Sequence, residues 1–349
     1  MVDEGGSAGS WVTSRRGLLL GAAAVVPAAA LLGGGRAWAQ SGDGMGSGSA
    51  HAGEGGHAGF PTGSVRASRA GFDPTKILRD FDRGRTSTLP GGRTLREWDV
   101  LATERDIEIA PGVIFPAWTY NGRIPGSTLW AQEGDLLRVH FTNGTSHPHT
   151  MHFHGVHTAE MDGVPGVGRG NIMPGESFTY EFTAEPFGTH LYHCHTSPLA
   201  VHIAKGLYGA FIVAPREGRP AADDELVMVM NGYNTNGGDD NDFYSVNGLP
   251  FHFMDHPVQV TRGALVRIHL INIVGFDPIN SFHIHANFFD WYPTGTRLTP
   301  IDYTDTVMLA QAQRGMLELR FPYEGKYMFH AHKTEFSELG WAGFFEVTA

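Results

Sequence analysis

The chain has 349 residues, a formal net charge of −11, only 17% charged residues and a single cysteine. That length suits two domains, the absence of long apolar runs excludes a multi-span membrane protein, the negative charge argues against a nucleic-acid partner held by phosphate contacts, and one cysteine excludes an internal disulfide. Nineteen histidines in so charge-poor a sequence demand an explanation.

Ser14-Arg15-Arg16-Gly17-Leu18-Leu19-Leu20 leads into a small-residue and apolar stretch ending near Leu32, and Ala37-Trp38-Ala39 supplies an A-x-A cleavage pattern. Residues 1–39 therefore read as a twin-arginine export signal, which implies a periplasmic or extracellular location and no membrane span after processing. Residues 40–70 are rich in Gly, Ser and Ala and read as a flexible tail containing His51 and His57.

From residue 71 onward, short alternating runs broken by turn signals replace helical periodicity. Strands are expected at Leu136–Phe141, Ser177–Phe182, Ala210–Ala214 and Leu317–Phe321, with two more between Val258 and Ile273 on either side of Arg262-Gly263. Such a pattern predicts an all-β chain of tandem sandwiches. A Pro- and charge-rich stretch, Pro215 to Pro220, divides it into domains at 71–217 and 218–349. The halves repeat one another. His152-Phe153-His154, Gly188 to His195 and Gly206 to Phe211 in the first correspond to His283-Ile284-His285, Gly325 to His332 and Gly340 to Phe345 in the second.

Five H-x-H pairs occur (147/149, 152/154, 193/195, 283/285 and 330/332), where composition alone gives about one. On a strand, residues i and i+2 share a face, so each pair presents two imidazoles side by side. Four of the pairs are placed symmetrically in the repeat. Together they offer eight nitrogens around one cavity, too many for one metal ion and about right for three. Cys194, between His193 and His195, faces the other way. His149, at an odd offset from His152, and His202, eight residues past Cys194, complete two histidines and one thiol, the trigonal set of a blue-copper centre. Leu207 stands where a weak axial Met is expected and gives no bond. His140, His252, His256 and His269 read as single core or surface histidines.

His147-Pro148-His149-Thr150-Met151-His152-Phe153-His154-Gly155, Tyr192-His193-Cys194-His195, Asp162-Gly163-Val164-Pro165 and Pro174 to Tyr180 resemble the motifs of multicopper oxidases. The resemblance covers roughly residues 95–349, and with two halves rather than three the chain is similar to two-domain laccases. It implies two cupredoxin-like Greek-key sandwiches in tandem and four coppers per chain. A type 1 copper would take His149, Cys194 and His202, with Leu207 non-ligating; a type 2 copper His152 and His283; and a type 3 pair His154, His193, His195, His285, His330 and His332. Asn280, Ala331, Phe336 and Trp341 stand opposite His149, Cys194, His202 and Leu207, so the blue site is expected in the first domain only.

The resemblance further implies one-electron oxidation of a small reducing substrate, phenolic or aromatic-amine or similar, at the type 1 copper, with electron transfer through Cys194, His193 and His195. Four electrons then reduce O2 to water. It also implies a homotrimer with the clusters at subunit interfaces. Asp162, and more weakly Glu335 and Glu338, are candidate proton relays. His157 and His190 read as supporting or core histidines, and the parity that His190 shares with Cys194 puts it on the face of the blue site. The tail histidines, His51 and His57, could capture copper weakly. Copper nitrite reductases resemble the first domain but carry an acid at the position of His152 and no histidine after the cysteine. A copper-storage protein would not need the bridge 193–195. Neither the physiological donor nor the assembly follows from spacing alone.

Overall fold

The computed structural model describes residues 63–349. The expected export signal, most of the tail, and His51 and His57 lie outside the described residues. The tail is shorter than expected at its C-terminal end. Val65 and Ala70 are buried, and Ala67–Ala70 forms a helical turn whose Ala70 packs with Phe72 and Ile77. The average composition of the segment concealed these two apolar anchors.

The fold is all-β, with two sheets in each half. In the first half, one sheet runs in the order Phe81–Asp82, Thr128–Gln132, Tyr208–Ala214, Gly188–His193, His152–Phe153. The other runs Arg85–Thr88, Thr94–Ala110, Leu136–Asn143, Ser177–Thr183, with Val113–Tyr120 paired to Thr94–Ala110. The second half repeats the plan. One sheet contains Phe243–Val246, Asp224–Tyr233, Val266–Asn272, Arg314–Leu319, Phe289–Pro293 and Asp302–Thr304; its partner contains Val258–Thr261, Ala342–Thr348, Gly325–His330, Ile279–Ile284 and Thr306–Ala310. These are two cupredoxin-like sandwiches. Every expected strand is present to within a few residues. Leu137, Val139 and Phe141 turn inward while their neighbours are only partly buried, as period-two patterning requires.

Trp98, Phe141, Tyr180, Tyr192 and Phe211 fill the first sandwich, and Met228, Ile268, Phe282, Phe329 and Trp341 the second. A third apolar cluster forms the seam between them. There Leu191, Tyr208, Ala210 and Ile212 meet Val227, Val229, Ile271 and Ile273. Strand Asp224–Tyr233 is consequently apolar on both faces, with Leu226, Met228 and Met230 in its own core and Val227 and Val229 at the seam. Each large aliphatic side chain fully buried there contributes about 1.5–3 kcal/mol relative to exposure. Thr189 Oγ1 and His269 Nδ1, 2.6 Å apart, bridge the seam, and Glu225 holds the other imidazole nitrogen at 2.9 Å.

Two short helices correspond across the repeat. Leu199–Ala204 carries His202 and is followed by Gly206; Thr334–Glu338 carries Phe336 and is followed by Gly340. Both glycines have a left-handed φ, 113° and 117°. A Cβ on Gly206 would lie 2.4 Å from Ile124 Cδ1, and one on Gly340 2.6 Å from Pro250 Cβ, so both positions require glycine.

Candidate metal centres

Cys194 follows strand Gly188–His193, and its amide donates to the Leu207 carbonyl at 3.0 Å, fixing it beside the chain that leaves the His202 helix. His149 is held by a two-way backbone bridge to Ile172. These anchors bring three ligand atoms together. His149 Nδ1 and His202 Nδ1 are 3.1 Å apart, and Cys194 Sγ lies 3.3 Å from His202 Nδ1 and 3.8 Å from His149 Nδ1. All three residues are buried. Burial lowers the pKa of His149 to about 3, reinforced by His202, and that of His202 to about 4, reinforced by His147. Both rings are therefore neutral, with lone pairs available. Burial raises the Cys194 thiol, while Thr196 and Thr150 oppose the shift. The Thr150 amide points at the sulfur from 3.4 Å. Leu207 is fully buried in the same apolar cluster as Cys194.

The neighbours of Cys194 serve the other face. His152 pairs with His193 across the strands, and His154 Nε2 and His193 Nε2 are 3.1 Å apart. The His152 ring centre lies 5.0 Å from that of His154, 5.2 Å from His193 and 5.3 Å from His195. The far nitrogens are tied back. His152 Nδ1 donates to the Asp162 carbonyl at 2.8 Å, with the Asp162 carboxylate at 3.0 Å, and His193 Nδ1 donates to the Cys194 carbonyl at 2.9 Å. Burial lowers His154 to about 2 and His193 to about 4.

The second half reproduces this arrangement. His283 pairs with His330, and His285 Nε2 and His330 Nε2 are 3.0 Å apart. The His283 ring lies 5.1 Å from His285 and 5.0 Å from His332. His283 Nδ1 is held by the Asp305 carbonyl at 3.0 Å, and His330 Nδ1 donates to the Ala331 carbonyl at 2.6 Å. Even the hydroxyl support is duplicated, for Thr150 Oγ1 accepts from the His195 amide and Ser281 Oγ from the His332 amide.

Each half thus gathers its own four histidines. Among the described residues no hydrogen bond, ring contact or ligand-atom cluster joins one quartet to the other, so the expected single cavity of eight nitrogens does not form within one chain. Both quartets open outward: His152, His154 and His195 are partly exposed, and His285 and His332 exposed.

The second half has no counterpart of the Cys194 site. Ala331, Phe336 and Trp341 are fully buried in its core, Phe336 stacks on Tyr244 with ring centres 3.7 Å apart, and buried Asn280 faces Met230 sulfur at 3.7 Å. Aromatic carbon occupies the space that imidazoles and sulfur take in the first half.

Of the proposed proton carriers, Asp162 touches His152, whereas Glu335 pairs with Lys333 and Glu338 is exposed; neither glutamate contacts a histidine. His157 sits between the Phe153 and Thr158 carbonyls, 6.3 Å ring to ring from His152. His190 is not beside the Cys194 site. It shares that face but lies four positions earlier, within strand Gly188–His193, bonded to the Pro186 carbonyl and 3.4 Å from Arg314. Three further participants carry no signal in the spacing of the motifs. They are Trp118, whose ring lies 5.1 Å from His149 and 4.9 Å from His202; Thr150; and Arg314, which reaches from the second half to within 3.4 Å of His154.

The donor chemistry fits copper. A thiol and two neutral imidazoles converge in an apolar pocket, which suits a soft, readily reduced ion, and the imidazole quartets suit borderline metals.

Profiles of the multicopper oxidase family match residues 102–218 and 223–349. A crystal structure of a multicopper oxidase is 76% identical, with a TM-score of 0.81 over 82% of this chain and 100% of that one. The copper nitrite reductase of Nitrosomonas europaea superposes with a TM-score of 0.66 at 26% identity, over 73% of this chain and 94% of that one. Among curated proteins, the copper-containing nitrite reductase of Neisseria gonorrhoeae is 28% identical over 249 residues, 66% of this chain and 62% of that protein. Laccase-2 of Botryotinia fuckeliana is 39% identical over 126 residues, 35% of this chain and 21% of that protein. The chain thus spans less than two thirds of the length of these two curated relatives. Two matched domains, a neighbour of high identity and a donor set suited to copper place the chain in the multicopper oxidase family.

Proposed function

We propose that the chain is a laccase-type oxidase that couples one-electron oxidation of phenolic, aromatic-amine or similar donors to reduction of O2 to water. The observation that carries this reading is the placement of Cys194 and its neighbours. Sγ lies with His149 and His202 on one face, and His193 belongs to an imidazole quartet on the other. His149, Cys194 and His202 would hold a type 1 copper, His152 and His283 a type 2 copper, and His154, His193, His195, His285, His330 and His332 a type 3 pair, four coppers per chain. When bound, the coppers supply one-electron acceptance at the first site and four-electron delivery to O2 at the others.

The chain's own part is wiring and orientation. The Cys194 side chain and two short peptide paths connect the two faces covalently. The carbonyls of Asp162, Cys194, Asp305 and Ala331 fix imidazole tautomers. Asp162, with its carboxylate at His152, is the best placed side chain to pass protons; Glu335 remains a weaker candidate on the second half.

A homotrimer follows from the same reading. A quartet on each half, partly exposed and without a contact to the other among the described residues, is satisfied when the first half of one copy meets the second half of the next, a heterologous contact that closes into a ring. Exposed Val156, two residues past His154, and exposed Met308, on the strand whose Thr306 pairs with His283, supply apolar surface for it. Export by the twin-arginine route to the periplasm or beyond would deliver the protein already folded.

Nitrite reductase is the competing reading, given the relatives above. Histidine at both 152 and 195 favours the oxidase. Oxygen uptake with a phenol or diamine after copper loading tests it: nitric oxide from nitrite would favour the reductase, and no turnover would favour storage. Four coppers per chain, two of them visible by electron paramagnetic resonance, are expected.

A further inference from the structure

We propose that Trp118 is the residue through which the reducing substrate passes its electron, and that the cleft outside it selects aromatic donors bearing positive charge. The inference rests on the oxidase reading above and specifies its donor site.

His149 is 0% and His202 3% exposed, so no donor touches either ring directly. Trp118 covers both. Its indole packs against both imidazoles and also against exposed His147, with ring centres 4.6 Å apart. Its amide donates to the Lys205 carbonyl at 2.9 Å, which ties it to the end of the His202 helix. Trp118 is therefore a fixed aromatic contact between solvent and the buried site.

Outside it lies a cleft of about 380 Å³ lined by two acids and two bases, Glu104, Asp106, Arg105 and Lys205, together with Trp118 and His147, among others. Strand pairing explains its composition. Glu104 lies opposite Trp118 and Asp106 opposite Pro116, so both carboxylates share the indole's face. Arg105 lines the cleft from the opposite parity, and its guanidinium is engaged by the Gly122 carbonyl. Lys205 Nζ is engaged by the Pro116 carbonyl at 3.0 Å. Glu104 accepts from the Ser146 amide and hydroxyl and holds His147, whereas exposed Asp106 has no partner among the described residues. An indole face flanked by two carboxylates favours a flat cation through stacking, cation–π attraction and charge.

In the step proposed, a donor that carries one positive charge as a protonated amine loses one electron and that proton, and leaves as a radical cation. The electron is taken up at the site formed by His149, Cys194 and His202, and Trp118 is unchanged at the end of the step. The donor's proton goes to water.

Two measurements test this on the copper-loaded protein. Calorimetric titration with N,N,N-trimethylanilinium, a cation that resists oxidation, is expected to show binding that Asp106→Asn weakens by about threefold, with a benzenesulfonate binding more weakly still. Equal affinity in wild type and D106N, or tighter binding of the anion, would overturn the charge selection. Anaerobic mixing with N,N-dimethyl-p-phenylenediamine is expected to bleach the blue absorption more slowly in Trp118→Phe, which keeps a ring against both histidines, with colour retained before mixing. Bleaching at the wild-type rate in a protein that consumes oxygen would overturn the role of Trp118 alone. Absence of oxygen consumption by the wild type would overturn the oxidase reading, while the titration still reports on the cleft.

Discussion

His149 and His202 hold their Nδ1 atoms 3.1 Å apart although 53 residues separate them in the chain, with the Cys194 sulfur beside both. Replacing the sulfur removes the only thiol. Cys194→Ser is expected to abolish blue absorption and oxidase turnover while leaving the circular dichroism spectrum unchanged. Visible absorption and oxygen uptake check this, and a blue, active variant would refute the assignment of the site.

Asp162 acts on His152 through its carbonyl and its carboxylate. Asp162→Ala retains the carbonyl and removes the carboxylate. The expected loss is about 10- to 100-fold in oxygen reduction or in copper affinity at the quartets, with the blue absorption unaltered. Steady-state rates across pH, together with copper analysis, separate the two outcomes.

Phe336 fills the space that corresponds to His202 in the first half. Phe336→Ala is expected to cost about 3–5 kcal/mol of stability through the cavity it leaves, without loss of copper. Chemical denaturation of the two proteins measures the difference; an unchanged midpoint would mean that the core closes over the gap.

Buried His252 gives the metal-free protein a pH dependence. Burial and the adjacent His256 lower its pKa to about 4, against roughly 6.5 in the unfolded chain. Between these values the unfolded chain binds a proton that the folded one refuses. Stability is therefore full above about pH 6.5 and falls as pH drops towards 4, by about 3 kcal/mol for this one group. Urea midpoints as a function of pH should show this, and His252→Gln should flatten the acid limb.

Met308 is 66% exposed on the strand whose Thr306 pairs with His283. Met308→Glu is expected to weaken association and oxygen reduction together while the blue absorption persists. Sedimentation velocity and oxygen uptake check it; full activity from a dispersed chain would argue against sites completed between copies.

Much of this was legible in the sequence because strand parity is a local rule. The opposite orientations of Cys194 and His193 and the absence of a second cysteine-histidine site through Ala331 and Phe336 both follow from spacing within the repeat. What spacing could not reveal were contacts set by sheet packing. Trp118 reaches His149 and His202 because its strand crosses near the His202 helix, and Arg314 reaches His154 only because two sandwiches share a seam. The distance of His190 from Cys194 is of the same kind: parity fixes the face of a strand but not the distance along it. The separation of the two quartets within one chain is likewise a matter of how whole sandwiches are oriented.

The apolar seam built from Leu191, Ile212, Val227 and Ile271, pinned by Thr189 and His269, leaves the two halves no hinge. Closing one half over a guest in the manner of a jaw would tear open some of the best packed carbon in the molecule. Each chain is accordingly a rigid tile, and a rearrangement that admits a guest falls to the surface loops.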